Sequence, residues 1–350
     1  MIEHLTRLVA CDSRNPPRAM AASGALFSYL RAQLEGAGFQ CILEDYGEGC
    51  VSLLARRGVP DLLLNCHVDT VPATAEWQSD PLRLQVRDQT AVGLGACDTK
   101  GAAACLLAAA EVTRGAAALL FTSDEEAGEG RCVRYFLERG ERYAGVLVAE
   151  PTNCRAVLAH RGLATAIGEF RGVAGHASAV RALTDSALHR AVRWAARALE
   201  WAEAEQSRTI GGLAGIRFNL GVVSGGTKSN MIADRAELRF GVRSRPGEDP
   251  VALLEQIQSL THAECSWQLG FVGPSLPAPG RPSATALAER CGLPIAPPVD
   301  FWSEAALFAM AGMPALVYGP GSIAQAHAAE EWVALEELER AFATYQRLMS

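Results

Sequence analysis

Over residues 1–160 the apolar positions fall into two kinds of stretch. Short, nearly unbroken runs at 61–66, 116–122 and 143–149 are bounded by polar or turn-forming segments, and their length suits buried strands. Residues 21–34 have helical composition, and residues 101–113 are rich in Ala and Leu, so both predict helices. Strands alternating with helices predict an α/β fold, a sheet with helices on both faces.

The pattern changes after about residue 162. Residues 163–171 read as a strand and 183–205 as one long amphipathic helix. Two strands, 216–223 and 231–242, are joined through a turn-like segment at 224–228. A second helix over 250–260 and a strand over 264–271 complete the set. The order βαββαβ predicts one open-faced sheet with two helices. Pro274, Pro277, Pro279 and Pro282 then mark a return linker. From Ser283 the α/β pattern resumes and ends in a helix over 335–349. The expected organisation is a first domain of residues 1–162 and 273–350, interrupted by an inserted domain of residues 163–272.

Composition narrows the possible partners. The net charge of −7 with no basic run argues against nucleic acid and against an anionic membrane. The most apolar stretch, 101–110, is far shorter than the roughly 20 residues that span a bilayer. Met1-Ile2-Glu3-His4-Leu5 lacks the basic-then-apolar order of an export signal. The ten cysteines are scattered, with no CxxC pair, which predicts reduced, buried thiols in a cytoplasmic protein.

Acids and histidines collect in five segments at predicted strand ends or in loops, where an open α/β sheet binds its ligands. His67-Val68-Asp69 follows the run 61–66. In extended chain, residues i and i+2 point the same way, so His67 can ligate a metal while Asp69 orients its ring. A capped loop would carry the same triplet. Asp98, set among glycines just before the predicted helix, is either an N-cap or a carboxylate free to bridge two cations. In Ser123-Asp124-Glu125-Glu126 three adjacent acids repel one another. Solvation in a loop relieves this, and so does a dication, with one carboxylate a ligand and another moving protons. Glu150 ends another strand, and His327 lies near the end of the chain. Two histidines and four carboxylates are the inventory of a two-metal hydrolase, whose ions, about 3.5–4 Å apart, polarise a carbonyl and acidify water.

Taken in order along the chain, HxD, GxGxxDxKG (Gly93 to Gly101), DEE, EPT and a late His resemble the zinc amidohydrolase family of acetylornithine deacetylase, succinyl-diaminopimelate desuccinylase and aminoacylase. The resemblance covers essentially the whole chain. It implies a zinc-peptidase-like catalytic domain, a central mixed sheet with helices on both faces, and an inserted ferredoxin-like lid and dimerisation domain. It also implies two divalent metal ions, Zn²⁺ or Co²⁺. His67 and Glu150 would hold one ion, Glu126 and His327 the other, and Asp98 would bridge them. Asp69 would orient His67, and Glu125 would be the general base. Gly175-His176-Ala177-Ser178 is similar to the family's GHxS turn, whose histidine stabilises the oxyanion in the partner's site, so a homodimer is expected. Asn230 and Arg243 match the family's lid asparagine and the arginine for the substrate carboxylate.

The implied substrate is a small N-acetyl amino acid. The segments around Glu304 and around Gly319 resemble the acetylornithine-cleaving branch. Ser13-Arg14-Asn15-Pro16-Pro17-Arg18, Ala159-His160-Arg161-Gly162 and Val299-Asp300-Phe301-Trp302-Ser303-Glu304 are similar to the members acting on N-acetyl-L-citrulline in arginine biosynthesis. Acetylornithine or a dipeptide is the alternative. Lys228, two residues before Asn230, would oppose ornithine's ammonium and tolerate a neutral ureido group, whereas Glu304 could pair with a cation.

Overall fold

The computed structural model describes residues 1–350 apart from Arg18, Glu129 and residues 261–264. The last residue of the Ser13-to-Arg18 segment and the first residue of the strand expected over 264–271 therefore lie outside the described residues. The chain divides into two units, one of Met1–Leu158, Pro282–Pro297 and Ser303–Ser350, the other of Ala159–Arg281 and Pro298–Trp302.

The first unit is built on a six-stranded mixed sheet. Its order is Gln40–Asp45, Val51–Arg57, Ala117–Thr122, Leu62–His67, Gly145–Val148, Ala315–Val317. The last four strands run parallel, and the first two form an antiparallel hairpin on one edge. Every residue of Ala117–Thr122 is buried, because a central strand covered on both faces has no solvent side to alternate with. In the helix Lys100–Val112 every residue from Lys100 to Ala110 is buried, and its small side chains let the helices Ile2–Val9 and Leu335–Leu348 pack against it. Three short strands, Gln85–Arg87, Thr90–Val92 and Trp332–Ala334, make a separate antiparallel sheet.

The second unit holds an antiparallel sheet in the order Arg217–Gly225, Arg235–Arg243, Leu163–Arg171, Cys265–Gly273, with the helices Ala187–Ala204 and Pro250–Gln258. This is ferredoxin-like βαββαβ order. Both helices pack on one face, around Trp194, whose ring lies 4.8 Å from Phe240 and 5.0 Å from Trp267. Along Arg235–Arg243 the residues Ala236, Leu238, Phe240 and Val242 are buried, so the alternate positions occupy the uncovered face.

Local differences from the sequence expectation have physical reasons. The helix expected over 183–205 is broken at Ser186, whose side chain caps His189 N and starts Ala187–Ala204 after a short turn, Ala182–Asp185. Met231 and Ile232 pair with His176 and Gly175 rather than opening the following strand, which begins at Arg235. The expected domain boundaries also shift outward. His160 bridges to Leu276 and Val299, and Arg161 bonds Asp300 and the carbonyls of Ala214 and Gly215, which ties these flanks to the second unit. Among the described residues no helix is long and apolar enough to cross a membrane, and all ten cysteines are unpaired.

Candidate metal centre

Parallel strands point their C-terminal ends the same way, and in the first unit these ends carry the chemistry. His67 closes Leu62–His67, Glu125 and Glu126 follow Ala117–Thr122, and Glu150 follows Gly145–Val148. Asp98 lies two residues before the helix start at Lys100, and His327 lies in the loop beyond Ala315–Val317.

Asp98 stands between the two histidines. Its Oδ1 is 3.0 Å from His67 Nε2, and its Oδ2 is 3.5 Å from His327 Nε2. His67 Nε2 is 3.8 Å from Glu150 Oε2, and His327 Nε2 is 3.0 Å from Glu126 Oε1. Two donor sets result, His67/Asp98/Glu150 and Asp98/Glu126/His327, each with its ligand atoms within 4.8 Å of one another. Hydrogen bonding does not account for the whole arrangement, since Glu150 Oε1 is buried without a partner. Imidazole and carboxylate donors with an orphaned oxygen fit a pair of divalent cations sharing Asp98.

The electrostatics agree with that fit. Burial raises Glu150 to about 7 and pushes Glu125 well above the usual carboxylate range, with Glu150 adding to the push on Glu125. Burial alone would lower His67, yet hydrogen bonds to Asp69, Asp98 and Glu150 hold it well above its ordinary value. The bond to Glu126 raises His327 to about 9. A site that crowds acids and holds protons on its histidines is one that cations would relieve. His327 also sits at φ 59°, a left-handed conformation uncommon for a side chain with a Cβ, as befits a ring aimed by its surroundings.

Asp69 touches both donor sets. Its backbone carbonyl is 3.2 Å and its Oδ1 3.5 Å from His67 Nδ1, and its Oδ2 accepts the backbone N–H of Glu126 at 3.0 Å. Asp124, the first acid of the same triplet, does something else. Its carboxylate accepts the N–H groups of Arg131 and Cys132, at the start of the helix Arg131–Glu138, beside the thiols of Cys50 and Cys132.

Two residues expected to contact substrate use polar groups within the first unit. Glu304 is fully buried, and its Oε2 accepts from Asn65 Nδ2 at 2.7 Å and Thr122 Oγ1 at 3.1 Å, which braces two core strands, while its Oε1 is buried without a partner. Burial raises its carboxyl to about 8. Gly319 spends its polar groups on Thr152 and Cys154, and a Cβ there would come within 2.6 Å of Glu150 O. It is a close-approach glycine beneath Glu150.

The remaining expected residues belong to the second unit. His176 is exposed, and its Nδ1 accepts the Ser178 N–H at 3.2 Å and lies 2.7 Å from Ser178 Oγ. Asn230 O accepts the N–H of Ala177, which draws Asn230 beside His176. Lys228 is exposed in the same turn. Arg243 lines a groove of about 530 Å³ on the uncovered sheet face, with Arg217, Arg239 and Asn219. Burial, then Arg161, pulls its guanidinium below the usual range.

One residue near the centre escapes sequence reasoning. Glu331 is 2% exposed and accepts three backbone N–H groups from the loop that carries Asp98. In sequence it is one of two adjacent glutamates and reads as part of a solvated charge run.

Residues 63–350 match the model of Peptidase family M20/M25/M40. The chain is 49% identical to N-acetyl-L-citrulline deacetylase of Xanthomonas campestris pv. campestris, covering 100% of this chain and 97% of that one. It is 34% identical to acetylornithine deacetylase of Myxococcus xanthus, covering 99% and 96%. Among solved structures it is similar to aminopeptidase PepT of Bacillus cereus, with a TM-score of 0.75, 18% identity and coverage of 99% and 96%. A dinuclear metal-binding M20 peptidase of Bacillus subtilis aligns with a TM-score of 0.64, 16% identity and coverage of 99% and 96%. With the family model spanning most of the chain and the strand-end acids and histidines gathered as described, this protein belongs to Peptidase family M20/M25/M40, the metal-dependent hydrolases of amide bonds.

Proposed function

We propose that this protein removes the acetyl group from N-acetyl-L-citrulline, giving acetate and citrulline, in arginine biosynthesis in the cytoplasm. The observation that carries the reading is Asp98, with one oxygen toward His67 and the other toward His327. The full-length likeness to an N-acetyl-L-citrulline deacetylase supports the substrate. The unpaired cysteines suit a reducing compartment.

A pair of bound Zn²⁺ or Co²⁺ ions would polarise the amide carbonyl and bring the pKa of water toward neutrality. His67 and Glu150 would hold one ion, Glu126 and His327 the other, and Asp98 both. Asp69 would fix the His67 ring through Nδ1. Glu125, raised by burial and by Glu150, has the proton affinity to take a proton from the attacking water and return it to the leaving nitrogen.

The second unit would supply recognition. The Ser178 N–H can only donate, so Nδ1 of neutral His176 is the acceptor and its Nε2 carries the proton, a donor suited to an oxyanion. Arg243, half-buried in its groove, would take the substrate carboxylate, with Asn230 beside His176 and Lys228 disfavouring a cationic side chain. A homodimer in which His176 acts on the partner's centre is supported by exposed apolar side chains on the sheet's edge strand, Val222 and Val223, and on the neighbouring helix, Val192 and Leu199.

Acetate release from N-acetyl-L-citrulline, N-acetylornithine and other N-acetyl amino acids, with and without chelator, tests the reading. The expected result is metal-dependent turnover with the highest kcat/KM on N-acetyl-L-citrulline. Equal or higher kcat/KM on N-acetylornithine would select the second reading, which the Myxococcus relative favours.

A further inference from the structure

Asp98 and His327 come from distant parts of the chain, and one side chain joins the two segments. Glu331 Oε2 accepts the Gly95 N–H at 2.9 Å, and Oε1 accepts the N–H groups of Cys97 at 2.8 Å and Asp98 at 2.9 Å. Its own carbonyl accepts the Gly93 N–H at 3.0 Å. The loop 93–98 is therefore wrapped around a single buried carboxylate. Glu331 lies four residues after His327, and the strand it introduces, Trp332–Ala334, pairs with Thr90–Val92, which leads into that loop. The adjacent Glu330 pins the same segment elsewhere, accepting from the N–H groups of Gln78 and Ser79 and from Ser79 Oγ. A buried carboxyl group is costly unless several donors meet it, and three N–H groups meet this one.

We propose that Glu331 is a positioning residue for the metal centre: by gripping the backbone of the Asp98 loop from the His327 segment, it sets the spacing between the bridging carboxylate and His327, and hence the affinity for the second ion. Glu331 touches neither substrate nor a reacting atom, and it acts through Asp98. The inference rests on the metal-ligand roles proposed above.

The test is Co²⁺ titration of the metal-free full-length protein, following bound metal by equilibrium dialysis and the visible cobalt absorption that reports coordination. Wild type must take up two Co²⁺ per chain; uptake of fewer would refute the two-metal reading itself. With two bound, Glu331→Ala is expected to keep the first affinity and weaken the second by about 10–100-fold, the usual effect of losing a supporting contact to a ligand. Glu331→Gln keeps the shape and an oxygen for Cys97 and Asp98 but faces Gly95 with an amide, so its second affinity should lie between the two. Wild-type affinities in Glu331→Ala, or equal loss at both ions, would overturn the proposal. Should Glu331→Ala fail to fold, Glu331→Gln decides alone. A weakened second ion supports the proposal, and an unchanged one overturns it.

Discussion

Asp69 accepts the backbone N–H of Glu126 at 3.0 Å, and the same carboxylate stands beside the His67 ring. One residue thus touches a donor of each set, its backbone carbonyl lying 3.2 Å from His67 Nδ1. Asp69→Asn should weaken both ions together, each by about 10–100-fold. Competition against a metal-binding dye measures this. Loss confined to the His67 set would show that the Glu126 contact is idle.

Metal uptake should expel protons. His327 is raised to about 9 by Glu126, so its ring carries a proton at pH 7 without metal, and hydrogen bonds push His67 in the same direction against the pull of burial. A cation must displace that proton, so affinity falls as pH falls. Calorimetric titration at pH 7 in buffers of different ionisation enthalpy should register proton release. Heats independent of buffer would contradict it.

Glu304 should make stability pH-dependent in an unusual direction. Its carboxyl is raised to about 8, so the folded state holds a proton that the unfolded state has shed above its ordinary value. Its contribution is present at low pH and declines as pH rises to about 8, by at most about 1.4 kcal/mol per pH unit, and is flat beyond. Glu304→Gln, an uncharged near-isostere, should show a shallower decline in denaturant stability across that window. Parallel curves for variant and wild type would remove the buried proton.

Mixed subunits test the shared site. Glu125→Gln should cost about 10²–10⁴-fold in kcat while both ions stay bound. His176→Ala should also be impaired. If His176 acts across a dimer, exchanging subunits of the two variants restores one complete centre in each heterodimer, about a quarter of wild-type activity after random pairing. No recovery in proven heterodimers would place His176 on its own chain's centre.

The strand ends were the legible part of this chain. A run such as 61–66 must be a buried strand, and a histidine or acid at its end must emerge where parallel strands bind ligands. Alternation was equally clear in Arg235–Arg243, where every second residue packs on Trp194 and its neighbours. What stayed hidden depends on contacts between distant residues. Glu304 lies 239 positions from Asn65, and only packing reveals that it faces inward. Glu331 looks like any exposed glutamate until three amides from residues 95–98 surround it. Ser186 and Met231 show the local version of the same problem, where a cap or a two-residue ladder overrides a continuous pattern.

The two units rest on separate hydrophobic clusters, one beneath the strand-end acids and histidines and one around Trp194. Mutational histories can therefore diverge. Substitutions on the uncovered sheet face around Arg217, Arg239 and Arg243 can accumulate without disturbing the packing that aims Asp98, Glu126 and Glu150. If recognition lies on that face, as proposed, a lineage built this way can change what it recognises while keeping its strand-end acids and histidines intact.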